Sequence, residues 1–202
     1  MILIERLLRD ELFDRLNNTV RWNGMSRIKD ETVGSHSYLV TLYSRFLAEE
    51  IFKESESKLL AITYALLHDF DEVFTGDVLH YVKYNPINGS LIREALDQFI
   101  NHEIENEFNQ DTKSDRLMQS TLLKQFPVYI TKIVKLADWL SMYFYLKKEL
   151  DLGNTNANKH ILYCVDKTKL SILEVIKALN EGLQPEEYEI DVLLELKNMD
   201  YE

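Results

Sequence analysis

The sequence predicts an all-α protein, read as one domain over residues 1–202, and three observations lead there. Only 6 Gly and 3 Pro occur in 202 residues, which leaves few places for the chain to turn tightly. Apolar residues recur mostly at three- and four-residue spacing, the period of a helix with one face turned inward. The length suits one well-buried core rather than two full domains.

The elements follow in order. A first helix is expected over 2–17, where "MILIERLLRDELF" mixes charge into apolar residues. The segment "NTVRWNGMSRIKDETVGSH", residues 18–36, has little periodicity and reads as a long loop, the kind of segment in which rigid scaffolds carry function. Helices at 34–53 and 56–70 are divided by the polar break "KESESK", and the hydroxyls of Ser35 and Ser57 are placed to cap their free amides. Helices at 89–108 and 114–125 flank "NQDTKSD". Pro127 suits the first turn of a helix over 127–151, and after "DLGNTNANK" two more are expected at 160–182 and 187–198.

Composition excludes several classes of function. No uncharged apolar run is long enough to span a bilayer, so no membrane insertion is expected. The N-terminus lacks the basic head and continuous apolar body of a signal peptide, and a cytoplasmic location is expected. Cys164 is the only cysteine, so neither an internal disulfide nor a thiolate metal cluster can form, and any metal must be held by His, Asp or Glu. Lys plus Arg number 23 against 34 Asp plus Glu, a net charge of −11 that repels long polyanions such as duplex DNA. A small phosphorylated substrate stays within reach, because a few local cations outweigh the global field at one pocket.

The chemistry concentrates in "YALLHDFDEVFTGD", residues 64–77. On a helix, His68 and Glu72 are i and i+4 and Asp69 and Glu72 are i and i+3, so the three share one stripe or its end. The apolar turn before them starts the stripe inside the protein, and buried carboxylates need a cation. Asp138 stands in the mostly apolar "YITKIVKLADWLSMYFYL", and His36 precedes an apolar stripe through Leu39, Val40, Tyr43 and Leu47. Two histidines and two aspartates on three helices make a mixed nitrogen and oxygen site suited to Mn, Co, Fe, Ni, Zn or Mg. Each residue also has a plainer reading. His68 fits a core imidazole bonded to a backbone carbonyl, Asp138 a helix cap or a partner of Lys135, and His36 a helix-start residue.

The order His, then His-Asp about thirty residues on, then a distant Asp in a helix resembles the HD-domain metal-dependent phosphohydrolases, and within them the YfbR-like 5′-deoxynucleotidase branch. The matching pieces are "RW" at Arg21 and Trp22, "HS" at His36 and Ser37, "HDFDEVFTGD" from His68 to Asp77, "VKY" from Val82 to Tyr84 and "KLADWL" around Asp138. They cover roughly residues 12–150, with the helices over 160–198 completing the core or an oligomer face.

The resemblance implies a single-domain HD-type helical bundle, a homodimer, and one divalent metal held by His36, His68, Asp69 and Asp138. It implies that Glu72 and Asp77 position or deprotonate the attacking water, that Arg21 contacts the phosphate, and that Trp22 packs against the sugar and disfavours a ribose 2′-hydroxyl. Lys83 is a second candidate cation for phosphate, with a solvated surface lysine as its plainer reading. The chemistry is sensible apart from the resemblance: a divalent ion acidifies bound water and polarises a phosphoryl oxygen, and a planar guanidinium matches phosphate geometry.

The implied reaction is hydrolysis of a deoxynucleoside 5′-monophosphate to deoxynucleoside and phosphate. A dNTP triphosphohydrolase could use the same metal set, with Arg27, Lys29 or Lys135 as further cations, and a non-catalytic nucleotide-binding domain is a third reading. A nuclease is disfavoured by the net charge. Two departures from the family pattern border the nucleotide pocket: "VLHYVKY" follows TGD where relatives commonly carry a proline-containing turn, and Ser35 precedes the first metal histidine where relatives often carry an acid. Base choice and phosphate number are the properties they touch. His80 is read as structural or exposed, and His102 and His160 have no assigned role.

Overall fold

The structure, a computed structural model, describes residues 11–108, 113–123, 125–199 and 201. Helix is the regular element of these residues: α1 Glu11–Asn18, α2 Val33–Ile51, α3 Ser55–Leu67, α4 Glu72–Thr75, α5 His80–Lys83, α6 Gly89–Glu107, α7 Lys113–Leu122, α8 Val128–Asp151, α9 Asn158–Gly182 and α10 Asp191–Asn198, with single 3₁₀ turns at Thr155–Ala157 and Pro185–Glu187. Residues 2–10 of the expected first helix lie outside the described residues. No described helix is long and apolar enough to cross a membrane.

Two compact units emerge, each built from several stretches of chain. One takes the described residues of 11–24, Asp30–Ser35 and Asp69–Gln125; the other takes Met25–Lys29, His36–His68 and the described residues from Phe126 onward.

The second unit is organised around α8. Its residues 136–141 are buried without interruption, so this middle stretch of the helix is enclosed by protein on every side rather than amphipathic. It packs along α9 and against α3. Ile51, Ile130, Ile133, Leu136, Leu146, Ile172, Leu179 and Leu193 are the largest fully enclosed apolar side chains, each worth about 1.5–3 kcal/mol in burial. Asp138 therefore sits in the middle of a core helix, where a carboxylate needs a partner.

In the first unit α1 packs on α4, α4 and α5 lie against α6, and α6 meets α7. Phe70, Phe74 and Phe108 form its aromatic centre, the Phe70 ring 6.3 Å from each of the other two. Gly76 closes α4 at φ +68° and ψ 178°, a conformation open essentially only to glycine, while its N–H bonds the Glu72 carbonyl at 2.9 Å. That reversal is why a TGD sequence delivers Asp77 directly after a helix.

Several boundaries differ from expectation for local reasons. The stretch expected as one helix over 56–70 ends at Leu67, and Glu72, Val73 and Phe74 bond back to Asp69, Phe70 and Asp71, three residues earlier, so the chain tightens through a turn before α4. The start of α2 is capped by Thr32 rather than Ser35: the Ser35 amide donates to Thr32 Oγ1 at 3.1 Å and the Thr32 amide donates to Ser35 Oγ at 3.0 Å, a reciprocal pair. Ser57 lies inside α3, which starts at Ser55 without a side-chain cap. Pro127 precedes the first turn of α8 as its cap residue. The last expected helix begins later, at Asp191, because Tyr188 pairs with Phe52 in an isolated bridge and Glu189 N–H bonds the Ile51 carbonyl at 2.7 Å.

The expected loop over 18–36 also holds a short antiparallel pairing. The Arg21 N–H bonds the Glu31 carbonyl at 2.8 Å and the Val33 N–H bonds the Thr19 carbonyl at 2.9 Å, with Val20 and Thr32 as the bridge. Further along, Glu149 accepts the N–H groups of Ile28 and Lys29 at 2.7 and 2.8 Å and the Asn154 amide at 2.8 Å. A fully buried carboxylate thus fixes residues 25–29 within the second unit.

Candidate active site

The candidate residues fall into two groups. In the second unit, His36 is fully buried near the start of α2, and its Nε2 stands 3.0 Å from Asp138 Oδ1. Ser141, one turn along α8 from Asp138, places Oγ 3.3 Å from His36 Nδ1. Asp138 Oδ2 meets Lys135 Nζ at 2.5 Å, and the same ammonium lies 4.9 Å from the Trp139 ring centre. Pairing with Lys135 and facing His36 are thus not alternatives for Asp138, because each uses a different oxygen.

His68 caps the C-terminus of α3, and its Nδ1 lies 2.8 Å from the Ala65 carbonyl. A carbonyl only accepts, so Nδ1 carries the hydrogen, and Nε2 carries the lone pair of the neutral ring. The histidine therefore combines the plain structural role with a nitrogen suited to a metal. The His36 and His68 rings are 5.6 Å apart, and their ligand nitrogens lie within 4.8 Å of each other, close enough to share one ion. Asp69 follows His68 directly in the chain.

The first unit carries the remaining candidates. Arg21 is nearly buried, with Nη1 3.5 Å from Asp69 Oδ2 and Nε 3.9 Å from Glu31 Oε2. The Trp22 N–H bonds Asp77 Oδ2 at 3.1 Å, and its indole N–H bonds Glu31 Oε2 at 2.8 Å. Trp22 has φ +64°, the one non-glycine residue of the described chain in the left-handed region. Glu72 is 6% exposed, and Lys83 Nζ comes within 3.6 Å of its Oε1. Burial pushes the Glu72 carboxyl up to about 8, the charges of Asp69 and then Asp77 adding to it while Arg21 and Lys83 oppose it. A carboxyl shifted this far gains and loses its proton close to the working pH range.

The structure presents the candidate residues differently from what sequence spacing suggests. Glu72 is not one helical turn beyond His68 on a continuous helix, because the turn over 68–71 intervenes. His80 is exposed and stacks on Tyr84 at 4.5 Å, consistent with a structural or exposed imidazole. Spacing missed Glu31, Ser141 and Glu149. Ser141 is i+3 from Asp138 and could have been found on that ground, whereas Glu31 depends on a strand-like pairing that no periodicity announces.

Two solved structures share this fold. An HD-domain phosphohydrolase from Listeria innocua has a TM-score of 0.62 at 21% identity, covering 96% of this chain and 97% of that one. The cyanophage S-2L HD phosphohydrolase, bound to dA and one catalytic Zn2+ ion, has a TM-score of 0.59 at 17% identity, covering 86% and 92%. The all-α architecture is that of the HD-domain phosphohydrolases.

The sequence model for YfbR-like 5′-deoxynucleotidases matches residues 11–181, and the chain belongs to that family. The 5′-deoxynucleotidase of Vibrio atlanticus (strain LGP32) is 33% identical over 147 residues, 69% of this chain and 73% of that protein. The 4′-phosphooxetanocin A phosphatase of Priestia megaterium is 31% identical over 152 residues, 71% and 74%. The protein is accordingly a phosphoric monoester hydrolase of the 5′-deoxynucleotidase type, which releases phosphate from deoxynucleoside 5′-monophosphates.

Proposed function

We propose that this enzyme holds one divalent metal ion through His36, His68, Asp69 and Asp138, and that Arg21, Trp22, Glu72, Asp77 and Lys83 act on the nucleotide. The observation that carries the reading is the pair of imidazoles whose ligand nitrogens lie within 4.8 Å, one of them also 3.0 Å from the Asp138 carboxylate, with Asp69 next in the chain. Two neutral nitrogens and two carboxylates fit Mn, Co, Fe, Ni, Zn or Mg. When bound, such an ion polarises a phosphoryl oxygen and makes water more acidic.

In this reading the oxygen of water forms a bond to phosphorus while the bond from phosphorus to O5′ breaks. Glu72 accepts the proton of the attacking water, and that proton is returned to O5′ of the leaving nucleoside. Arg21 and Lys83 balance charge on the phosphoryl oxygens. The Trp22 ring lies against the sugar, where it leaves no room for a 2′-hydroxyl, and Asp77 fixes the Trp22 backbone as well as facing the nucleotide. The enzyme works as a homodimer in the cytoplasm, on small nucleotides rather than nucleic acid polymers.

The test begins with metal-stripped protein, to which Mn, Co, Mg or Zn is returned before a panel of deoxy- and ribonucleotides at each phosphorylation level. Inorganic phosphate from deoxynucleoside monophosphates is the expected product. Release of triphosphate from dNTPs, or no turnover with any metal, overturns the reading. Asp69→Ala is expected to lose metal and activity together, whereas Glu72→Ala keeps the metal, measured by calorimetric titration, and loses most turnover.

A further inference from the structure

We infer that Glu31 is a positioning residue for sugar selection, acting through Trp22. The inference rests on the proposal that the Trp22 ring faces the sugar, and it adds what holds the ring there.

The antiparallel pairing of residues 19–21 with 31–33 sets Glu31 opposite Arg21, since the Arg21 N–H bonds the Glu31 carbonyl at 2.8 Å. From that place the Glu31 side chain, only 5% exposed, turns Oε2 toward both neighbours. It accepts the indole N–H of Trp22 at 2.8 Å and lies 3.9 Å from the Arg21 Nε. One carboxylate oxygen therefore serves the two adjacent residues assigned to sugar and to phosphate.

Trp22 needs such a hold. Its left-handed backbone, φ +64°, is disfavoured for any side chain with a Cβ. Two acceptors oppose that cost: Asp77 Oδ2 takes the main-chain N–H at 3.1 Å and Glu31 takes the indole. Asp77 fixes where the residue sits, and Glu31 fixes which way the ring points. An indole with only its backbone restrained keeps its χ freedom and sweeps a wider arc, so it excludes a 2′-hydroxyl poorly. A buried carboxylate is a strong acceptor for that purpose, because its hydrogen bond is charge-assisted.

The experiment compares wild type, Glu31→Ala and Glu31→Gln for the ratio of kcat/KM on a deoxynucleoside 5′-monophosphate to that on its ribonucleotide. Glu31→Ala is expected to lower the ratio about tenfold, the worth of one hydrogen bond to a charged group, chiefly through a lower KM for the ribonucleotide. Glu31→Gln keeps an acceptor oxygen for the indole and is expected to hold most of the ratio. Emission from Trp22, read in a Trp139→Phe background that removes the other tryptophan, is expected to become more open to acrylamide quenching in Glu31→Ala but not in Glu31→Gln. An unchanged ratio in a folded Glu31→Ala protein overturns the inference. So does an equal loss in both variants without any change in quenching. If wild type itself does not discriminate between the sugars, the sugar reading of Trp22 fails, and the quenching comparison still decides whether Glu31 holds the ring.

Discussion

Lys83 Nζ stands 3.6 Å from Glu72 Oε1, so a site carboxyl that burial drives toward neutrality has a cation beside it. The shift gives a signed prediction. A carboxyl raised to about 8 binds its proton more tightly in the folded than in the unfolded chain. Its contribution to stability is full below the unfolded value near 4.5 and is lost as the pH rises through about 8. Urea unfolding of metal-free protein between pH 5 and pH 9 is expected to show this fall, and Glu72→Gln is expected to flatten it. Lys83→Met removes an opposing charge and is expected to move the fall to higher pH; an unmoved profile would show that the ammonium does not act on Glu72.

Ser141 gives a second test. Its Oγ is 3.3 Å from His36 Nδ1, the ring nitrogen opposite the one facing Asp138. Groups that orient a ligating histidine typically change metal affinity by about 10–100-fold, and a contact this long belongs at the low end. Ser141→Ala is expected to weaken Mn or Co binding about tenfold in calorimetric titration while leaving the thermal midpoint nearly unchanged. Unaltered affinity would remove Ser141 from the site.

Glu149 is the clearest stability determinant outside the site. Burial alone pushes its carboxyl up, but the Asn154 amide, the Ile28 and Lys29 N–H groups and the Arg27 charge outweigh that and hold it below the usual carboxylate range. A lowered carboxyl contributes stability at neutral pH that is lost as the pH falls through its folded value. Glu149→Gln presents an amide nitrogen to groups that only donate, and a loss of about 3 kcal/mol in urea unfolding at pH 7 is expected. A loss of the same size at pH 3 would contradict the ionised role.

Gly89 opens α6 against the end of α5. A Cβ there would stand 2.8 Å from the Lys83 carbonyl oxygen and 3.0 Å from the Tyr84 carbonyl carbon, both backbone atoms with little room to give. Gly89→Ala is expected to cost about 1–3 kcal/mol from overpacking, against the gain that alanine brings to most helix positions. Since Lys83 is carried on that turn, a fall in kcat alongside the lower melting temperature is the expected pair of readouts.

Helix content was legible because it follows from short-range periodicity, whereas the candidate ligand set came from the order of motifs that resembles the family. Asp138 stood out as one acid in an apolar run, and α8 buries residues 136–141 around it without interruption. The break at 68–71 was not legible, since "HDFDEVF" has good helical spacing and the tightening shows only in which carbonyls the amides reach. Glu31 and Glu149 were hidden for a different reason. Glu149 works through main-chain groups far away in the sequence, as with Ile28, 121 residues apart, and Glu31 through the side chains of Trp22 and Arg21 across a strand-like pairing. "KDETVGSH" offers three charged residues in a row with nothing local to single out the one that becomes buried.

The left-handed turn at Trp22 has an evolutionary consequence. Glycine would adopt that backbone without cost but would bring no ring, so under the proposed role of the ring the position cannot drift toward its conformationally easiest residue while sugar discrimination is selected. Positions 22 and 31 should therefore vary as a linked pair. A lineage that accepts a smaller side chain at 22 leaves the acid at 31 without its indole partner, and one that recruits the fold for an unusual sugar should show its first substitutions at these two.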